Sequence, residues 1–176
     1  GSVAQGPAPT TVFTPTGNAG GTITLRAALN SDVVERTIIV KLESTQNGPG
    51  TSDNAQIPMA VGDLTSGGGV GGVGGEGLGV AVTDQATITL LQSGTGGSAL
   101  SLLYPYDGTV FPRRLLAPNL MWNSAAADAD AIMIELSTTT GSFHWSGRFG
   151  RPAILATTGG AFIRHPIPQS VWRAAT

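Results

Sequence analysis

Few residues in this chain could do chemistry, and their spacing limits what chemistry that would be. His144 and His165 are the only histidines, and there is no cysteine. Two isolated imidazoles do not make a His-based metal site, and the missing thiol removes disulfides, thiolate catalysis and every Cys-based zinc motif. Both histidines read as polar-face residues near strand ends. Ser146 in HWSGR lies two positions from His144. The run does not match GxSxG, however, and no acid stands behind the histidine, so no nucleophile elbow is specified. Asp128 and Asp130 in AAADADA could offer carboxylates to calcium. That ion takes roughly six to eight oxygens, and two acids read more simply as a solvated turn. Glycoside hydrolysis needs two facing carboxylates about 5 to 10 Å apart. Nothing nominates such a pair, because Glu135 falls mid-strand on the polar face and Asp107 in YDGT reads as a turn cap. The expectation is a non-enzymatic chain with no catalytic residue, no cofactor and no metal.

The aromatic residues offer a different kind of site. Phe143 and Trp145 flank His144 and share one face of a strand, and Tyr106 and Trp172 could join them as ligand or interface aromatics. On an exposed face they would form a sugar-stacking platform, and on a buried one they would fill a core. Aromatics make up only 6% of the chain, so a sandwich core would claim most of them.

Composition narrows the partners. Of 176 residues, 26 are Gly, 11 are Pro and 11% are charged, with a formal charge of −2. That length makes one domain or two small ones and is enough to bury a core. Lys41 is the only lysine among nine basic residues, and Arg113-Arg114 is the only adjacent basic pair. Nucleic acid is therefore not an expected partner, because that affinity depends on clustered cations displacing counterions. No signal peptide and no apolar run of about 18 residues is visible, so no membrane-spanning segment is expected.

The elements that must position these residues are strands. In GGTITLRAALNSDVVERTIIVKLE, from Gly20 to Glu43, two period-two runs flank Asn30-Ser31-Asp32, which predicts a hairpin. A lone hairpin is marginal in water and needs a partner sheet. Between Gly62 and Val80, ten of nineteen residues are Gly. Such a stretch normally behaves as a linker. It lacks the Lys-Ser/Thr ending of a P-loop, and its glycines could instead permit close backbone packing that orders the segment. Thr83-Asp84 before QATITLLQSG predicts a short helix, against the strand preference of Thr87, Ile88 and Thr89. From Ala99 onward ALSLLYP, APNLMWN, DAIMIELST, GSFHWSG and GGAFIRHP alternate with turn residues, as in a small antiparallel sandwich. IPQSVWRAAT closes the chain as a proline-started turn or short helix with Val171 and Trp172 inward.

The stretch LLYPYDGTVFPRRLLAPNLMWN, then DAIMIELS and IPQSVW, resembles an Ig-like or fibronectin type III-like module of large bacterial surface and secreted proteins. Tyr104, Pro105, Asp107, Gly108, Phe111, Pro112, Pro118 and Trp122 carry the resemblance. It implies that the loop crosses between sheets and that the tryptophan lies in the core. VFTPTGNAGGTITLRAALNSDVVERTIIVKL, residues 12–42, is similar to the last strands of a bacterial Ig-like repeat of the adhesin and invasin type. Only the latter half of that repeat is present, and a fibronectin-like module normally continues with one or two strands after its tryptophan segment, so both ends are expected to be partial domains, either joints open to strand addition or cuts from a longer protein. The expected organisation is a partial Ig-like hairpin over 1–44, a Gly-rich connector with a short helix over 45–98, and an all-β Ig/fibronectin-like sandwich over 99–176. The expected function is an extracellular or cell-surface structural and adhesive module, such as a surface fibre or filament subunit, which self-associates or joins neighbouring Ig-like domains through strand edges. The alternative is a carbohydrate-binding module with a polysaccharide partner.

Overall fold

The computed structural model describes residues 2–3, 10, 12–64, 75–94, 100–112, 114–124 and 128–176. The described chain is mostly β, in several sheets, with a few short helices. It divides into two compact units. One comprises residues 1–44 and 136–145 with Ala175, and the other comprises 45–135 and 146–174 with Thr176.

The first unit holds β1 (Ser2–Val3), paired with β2 (Phe13–Thr14), and the predicted hairpin of β3 (Gly21–Leu29) and β4 (Asp32–Val40). The hairpin register runs from Gly21 opposite Val40 to Leu29 opposite Asp32. Asn30 at the turn takes φ 55°, a left-handed conformation that asparagine tolerates better than most residues. This unit also contains the turn joining β8 (Ala131–Ser137) to β9 (Phe143–Gly150). The Thr138 N–H donates to the Phe143 carbonyl at 3.0 Å, and the Gly141 N–H donates back to the Thr138 carbonyl at 2.9 Å. The Thr138, Thr140 and Ser142 hydroxyls bond one another at 2.8 to 3.2 Å, so the turn satisfies its own polar groups. Strand β9 is central in a sheet with β8 and β5 (Leu42–Asn47), and each of these three strands carries residues of both units.

The second unit contains a three-stranded sheet in the order β10 (Arg164–Pro166), β7 (Asn119–Ser124), β6 (Leu100–Tyr104). His165 stands opposite Leu120, and an irregularity between Leu102 and Tyr104 shifts the β6 register. Alternation along β7 turns Leu120 and Trp122 inward. Trp122, Leu155 and Phe162 form a buried cluster with Leu120, Ala129 and Ile132 against it. The Trp122 and Phe162 rings meet edge-on at 5.4 Å. Phe149 of β9 lies 4.3 Å from the His165 ring of β10, so β10 packs side chains against β9 as β7 does against β8.

Three short helices accompany these strands: α1 (Gln85–Ser93), α2 (Leu155–Thr158) and, after β10, α3 (Gln169–Ala175). The Asp84 carboxylate caps α1 by accepting from the Thr87 N–H at 2.7 Å, which overrides the β preference of the following residues. Gly94, which ends α1, is extended and supplies no left-handed cap. Pro168 is the N-cap of α3, one residue earlier than a first-turn proline, and Val171 and Trp172 point inward as predicted.

Two buried polar side chains fix a 3₁₀ turn, Thr51–Gln56, to the start of α3. Gln56 Nε2 donates to the Ile167 carbonyl at 3.1 Å, and its Oε1 accepts from the Gln169 N–H at 2.7 Å. Asp53 accepts from the Ser170 N–H at 3.3 Å and from Gln46 at 3.3 Å. Gln56→Leu keeps the volume but strands one buried acceptor and one part-buried donor. It is expected to lower stability by about 2 to 4 kcal/mol, read as a shift in the urea midpoint, because each unmet buried group costs about 1 to 3 kcal/mol.

Candidate interaction surfaces

Most groups that could do chemistry are committed to structural bonds. Glu76 receives Arg164 in a two-pronged pair, Nε to Oε2 at 2.6 Å with Nη2 on Oε1. This bond raises the Arg164 pKa above its ordinary value. Arg151 gathers two segments. Its Nη1 donates to Asp128 at 2.5 Å and to the Ala129 carbonyl, and its Nη2 reaches the Gly160 carbonyl at 2.9 Å. The other Asp128 oxygen accepts from the Phe162 N–H at 2.8 Å. The Arg151 hydrogen bond, followed by the Phe162 N–H, holds the Asp128 carboxyl below the usual carboxylate range. One half of the conceivable calcium pair is thus an arginine ligand. Among the described residues, no three His, Cys, Asp or Glu side chains gather where they could hold a metal ion.

His165 departs from expectation. It is fully buried, not on a polar face. A strand only three residues long passes between Phe149 and Phe162, and the ring takes the core side of the pleat. Its Nε2 accepts from the Gly79 N–H at 2.8 Å, while Nδ1 has no hydrogen-bond partner among the described residues. Desolvation pushes its pKa down to about 3, with the Pro166 backbone opposing weakly. A neutral, sequestered imidazole is a structural acceptor. His144 is exposed, as expected.

The glycines beside His165 decide how closely chains can approach. The core of the Gly-rich run, 65–74, lies outside the described residues, but 75–79 is buried along its length except for half-buried Glu76. Gly77 takes φ 76° above the Gln56 carbonyl, and a Cβ on Gly79 would sit 1.9 Å from the Gly150 oxygen. Leu78, 2% exposed, plugs into the core between them. Close packing, one of the three readings of this segment, describes these residues. They are also fastened to β10 through the Glu76–Arg164 and Gly79–His165 bonds.

The opposite edge of that sheet, β6, has no such strap among the described residues. Leu100, Leu102 and Leu103 are all exposed, and the strand carries no charge. The loop after it exposes Tyr106, Val110, Leu115 and Leu116, the last three apolar, with Val110 88% exposed. Arg113, from the adjacent basic pair, lies outside the described residues. The turn at Asp107-Gly108 is closed by Thr109, whose N–H and hydroxyl both donate to the Tyr106 carbonyl at 3.0 and 2.7 Å.

The β3–β4 hairpin is exposed more completely. Leu29, Val33, Val34, Ile38 and Ile39 all face solvent, Leu29 at 74%. Contiguous apolar exposure on both faces of a ribbon is atypical of an isolated soluble chain. Arg26 and Glu35 face each other at 3.7 Å, but both are exposed, so the pair contributes little.

Of the four candidate aromatics, one is exposed and three are buried. Phe143, Trp145 and Trp172 are buried, Trp145 to 1%, while Tyr106 is 73% exposed. Tyr106 instead begins a ladder of edge-on contacts: Tyr104 at 6.0 Å, then Phe111 from Tyr104 at 6.3 Å, then Trp172 from Phe111 at 5.4 Å, with interplanar angles of 85° to 87°. Sequence reasoning missed the Glu76–Arg164 and Gly79–His165 partnerships, because their members are 88 and 86 residues apart. A GxEGxG run beside a strand end is the only local signal. No described helix is long and apolar enough to cross a membrane, which leaves open spanning by strands.

Comparison with known proteins finds no matching family model, no similar curated protein and no similar solved structure.

Proposed function

We propose that this chain is a non-enzymatic, extracellular structural module that self-associates through β-strand edges, its paired sheets being an Ig/fibronectin-type sandwich. The observation that carries the reading is the β3–β4 ribbon, two nine-residue strands exposing aliphatic side chains on both faces. Two strands are marginal alone, whereas a third or fourth strand buries those side chains and satisfies the open backbone groups. The low charge of the chain, 11% of residues, offers little repulsion against such contact. The fibronectin-like reading draws on the YPYDGTVFP and NLMW motifs and on the core tryptophan, Trp122.

The carbohydrate-binding alternative needs a flat, exposed aromatic pair. Tyr106 is exposed but meets its neighbouring ring at 87°, which favours the structural reading. Multi-angle light scattering over a concentration series tests the proposal. The weight-average mass is expected to rise above one chain at micromolar concentration and to fall when Ile39→Lys and Val34→Lys are introduced together. A constant monomer mass would sink the proposal.

A further inference from the structure

Resting on that reading of self-association, we infer that the occupant of the ribbon is a second copy of the same chain, added antiparallel to the free edge of β4 with Ile38 opposite Ile38. The sheet order leaves β4 with one neighbour, β3, and a second edge unpaired among the described residues. Charges are segregated along β4 and its continuation, Lys41, which lies one residue past the end of the strand. Asp32 and Glu35 lie toward the turn, and Arg36 and Lys41 lie toward β5. An antiparallel copy brings the acidic half of one strand beside the basic half of the other.

The charges then select the register. Two-fold pairing of identical antiparallel strands sets one residue against its own copy, with partners summing to a constant. Centring on Glu35 or Arg36 puts like charges face to face, and centring on Ile39 sets Glu35 against Glu43. Centring on Thr37 leaves Glu35 opposite Ile39 and Lys41 opposite Val33. Centring on Val34 pairs Asp32 with Arg36 but overlaps only residues 32–36. Centring on Ile38 places Glu35 opposite Lys41 twice over residues 35–41. Directly opposed unlike charges favour a cross-strand pair, and like charges disfavour it.

The same register builds an apolar row. Ile23 already stands opposite Ile38 within the hairpin. Pairing through Ile38 extends this to Ile23–Ile38–Ile38–Ile23 across a four-stranded sheet β3-β4-β4-β3. Val34 and Leu42, each four residues from Ile38, also come opposite each other.

The absence of native cysteine makes the test clean. With Ile38→Cys supplying the only thiol, mild oxidation of the full chain is expected to give a covalent dimer at least tenfold more efficiently than with Thr24→Cys. Thr24 lies on β3, and its copy would be three strand spacings away, about 14 Å. Glu35→Lys and Lys41→Glu, each alone, are expected to weaken association about tenfold, and mixing the two variants is expected to restore it as a heterodimer. If light scattering shows association but the Ile38→Cys variant does not cross-link above the level of Thr24→Cys, or mixing restores nothing, this register is overturned while edge-mediated self-association stands. A strictly monomeric chain overturns both.

Discussion

Gly79→Ala is expected to destabilise the protein by about 3 kcal/mol or more. The added methyl would stand 1.9 Å from the Gly150 carbonyl oxygen and 3.0 Å from its carbon, and both are backbone atoms that cannot rotate away. Overpacking in a core ordinarily costs about 1 to 3 kcal/mol, and this clash is against backbone already engaged, since the Gly150 N–H donates to the Val80 carbonyl at 2.8 Å. Moving the strand apart to admit the methyl also draws the Gly79 N–H away from His165 Nε2, on a buried ring whose other nitrogen has no partner among the described residues. Urea unfolding monitored by tryptophan fluorescence reads the effect as a lower midpoint at unchanged slope. Gly62→Ala is the control. Its Cβ meets nothing within 4 Å, and the change is expected to stay within about 0.5 kcal/mol of the parent. A Gly79→Ala variant as stable as Gly62→Ala would show that 75–79 is not held against β9.

The second large effect is the acid limb of stability. His165 in the unfolded chain takes up a proton near pH 6.5, whereas in the fold it resists until about pH 3. Between those values the unfolded state binds the extra proton, so stability falls as pH falls. The slope approaches about 1.4 kcal/mol per pH unit below pH 6. Over the whole window this amounts to something on the order of 4 kcal/mol, a large part of a typical domain's stability. Asp128 has its pKa lowered from 3.8 and acts in a separate range, losing its contribution only as pH falls through that lower value. His165→Phe removes the titration. At pH 7 it is expected to be less stable by about 1 to 3 kcal/mol, because the Gly79 N–H loses its acceptor. Its stability should nevertheless stay nearly flat from about pH 6.5 down to about pH 4, so the two curves converge or cross. Parallel curves for the parent and His165→Phe would remove His165 as the origin of acid sensitivity.

Much of the local architecture is legible without coordinates. Alternation in TITLRAAL and DVVERTIIV, with Asn30-Ser31 between them, specifies a hairpin whose register follows from the two-residue turn. Asp84 and Pro168 announce the helices they precede. The inward placement of Trp122 follows from its period with Leu120. His165 is different. Its neighbours Arg164 and Pro166 give no hydrophobic rhythm, and only Phe149, Phe162 and Gly79 close around it. The aromatics behave similarly. Phe143 and Trp145 could have lined either face of their strand, and the choice depends on what packs against it.

The glycines mark the division between the two levels. By itself the sequence determines a weakly charged, cysteine-free, strand-rich chain, because strand period, turn residues and the lack of thiols and clustered cations are all local properties. Only the tertiary structure decides that Glu76, Leu78 and Gly79 belong to the core of the second unit. That outcome depends on Arg164, His165 and Gly150 reaching them from far along the chain, 88 residues away for Arg164 and 86 for His165, with glycine leaving room for backbone to meet backbone.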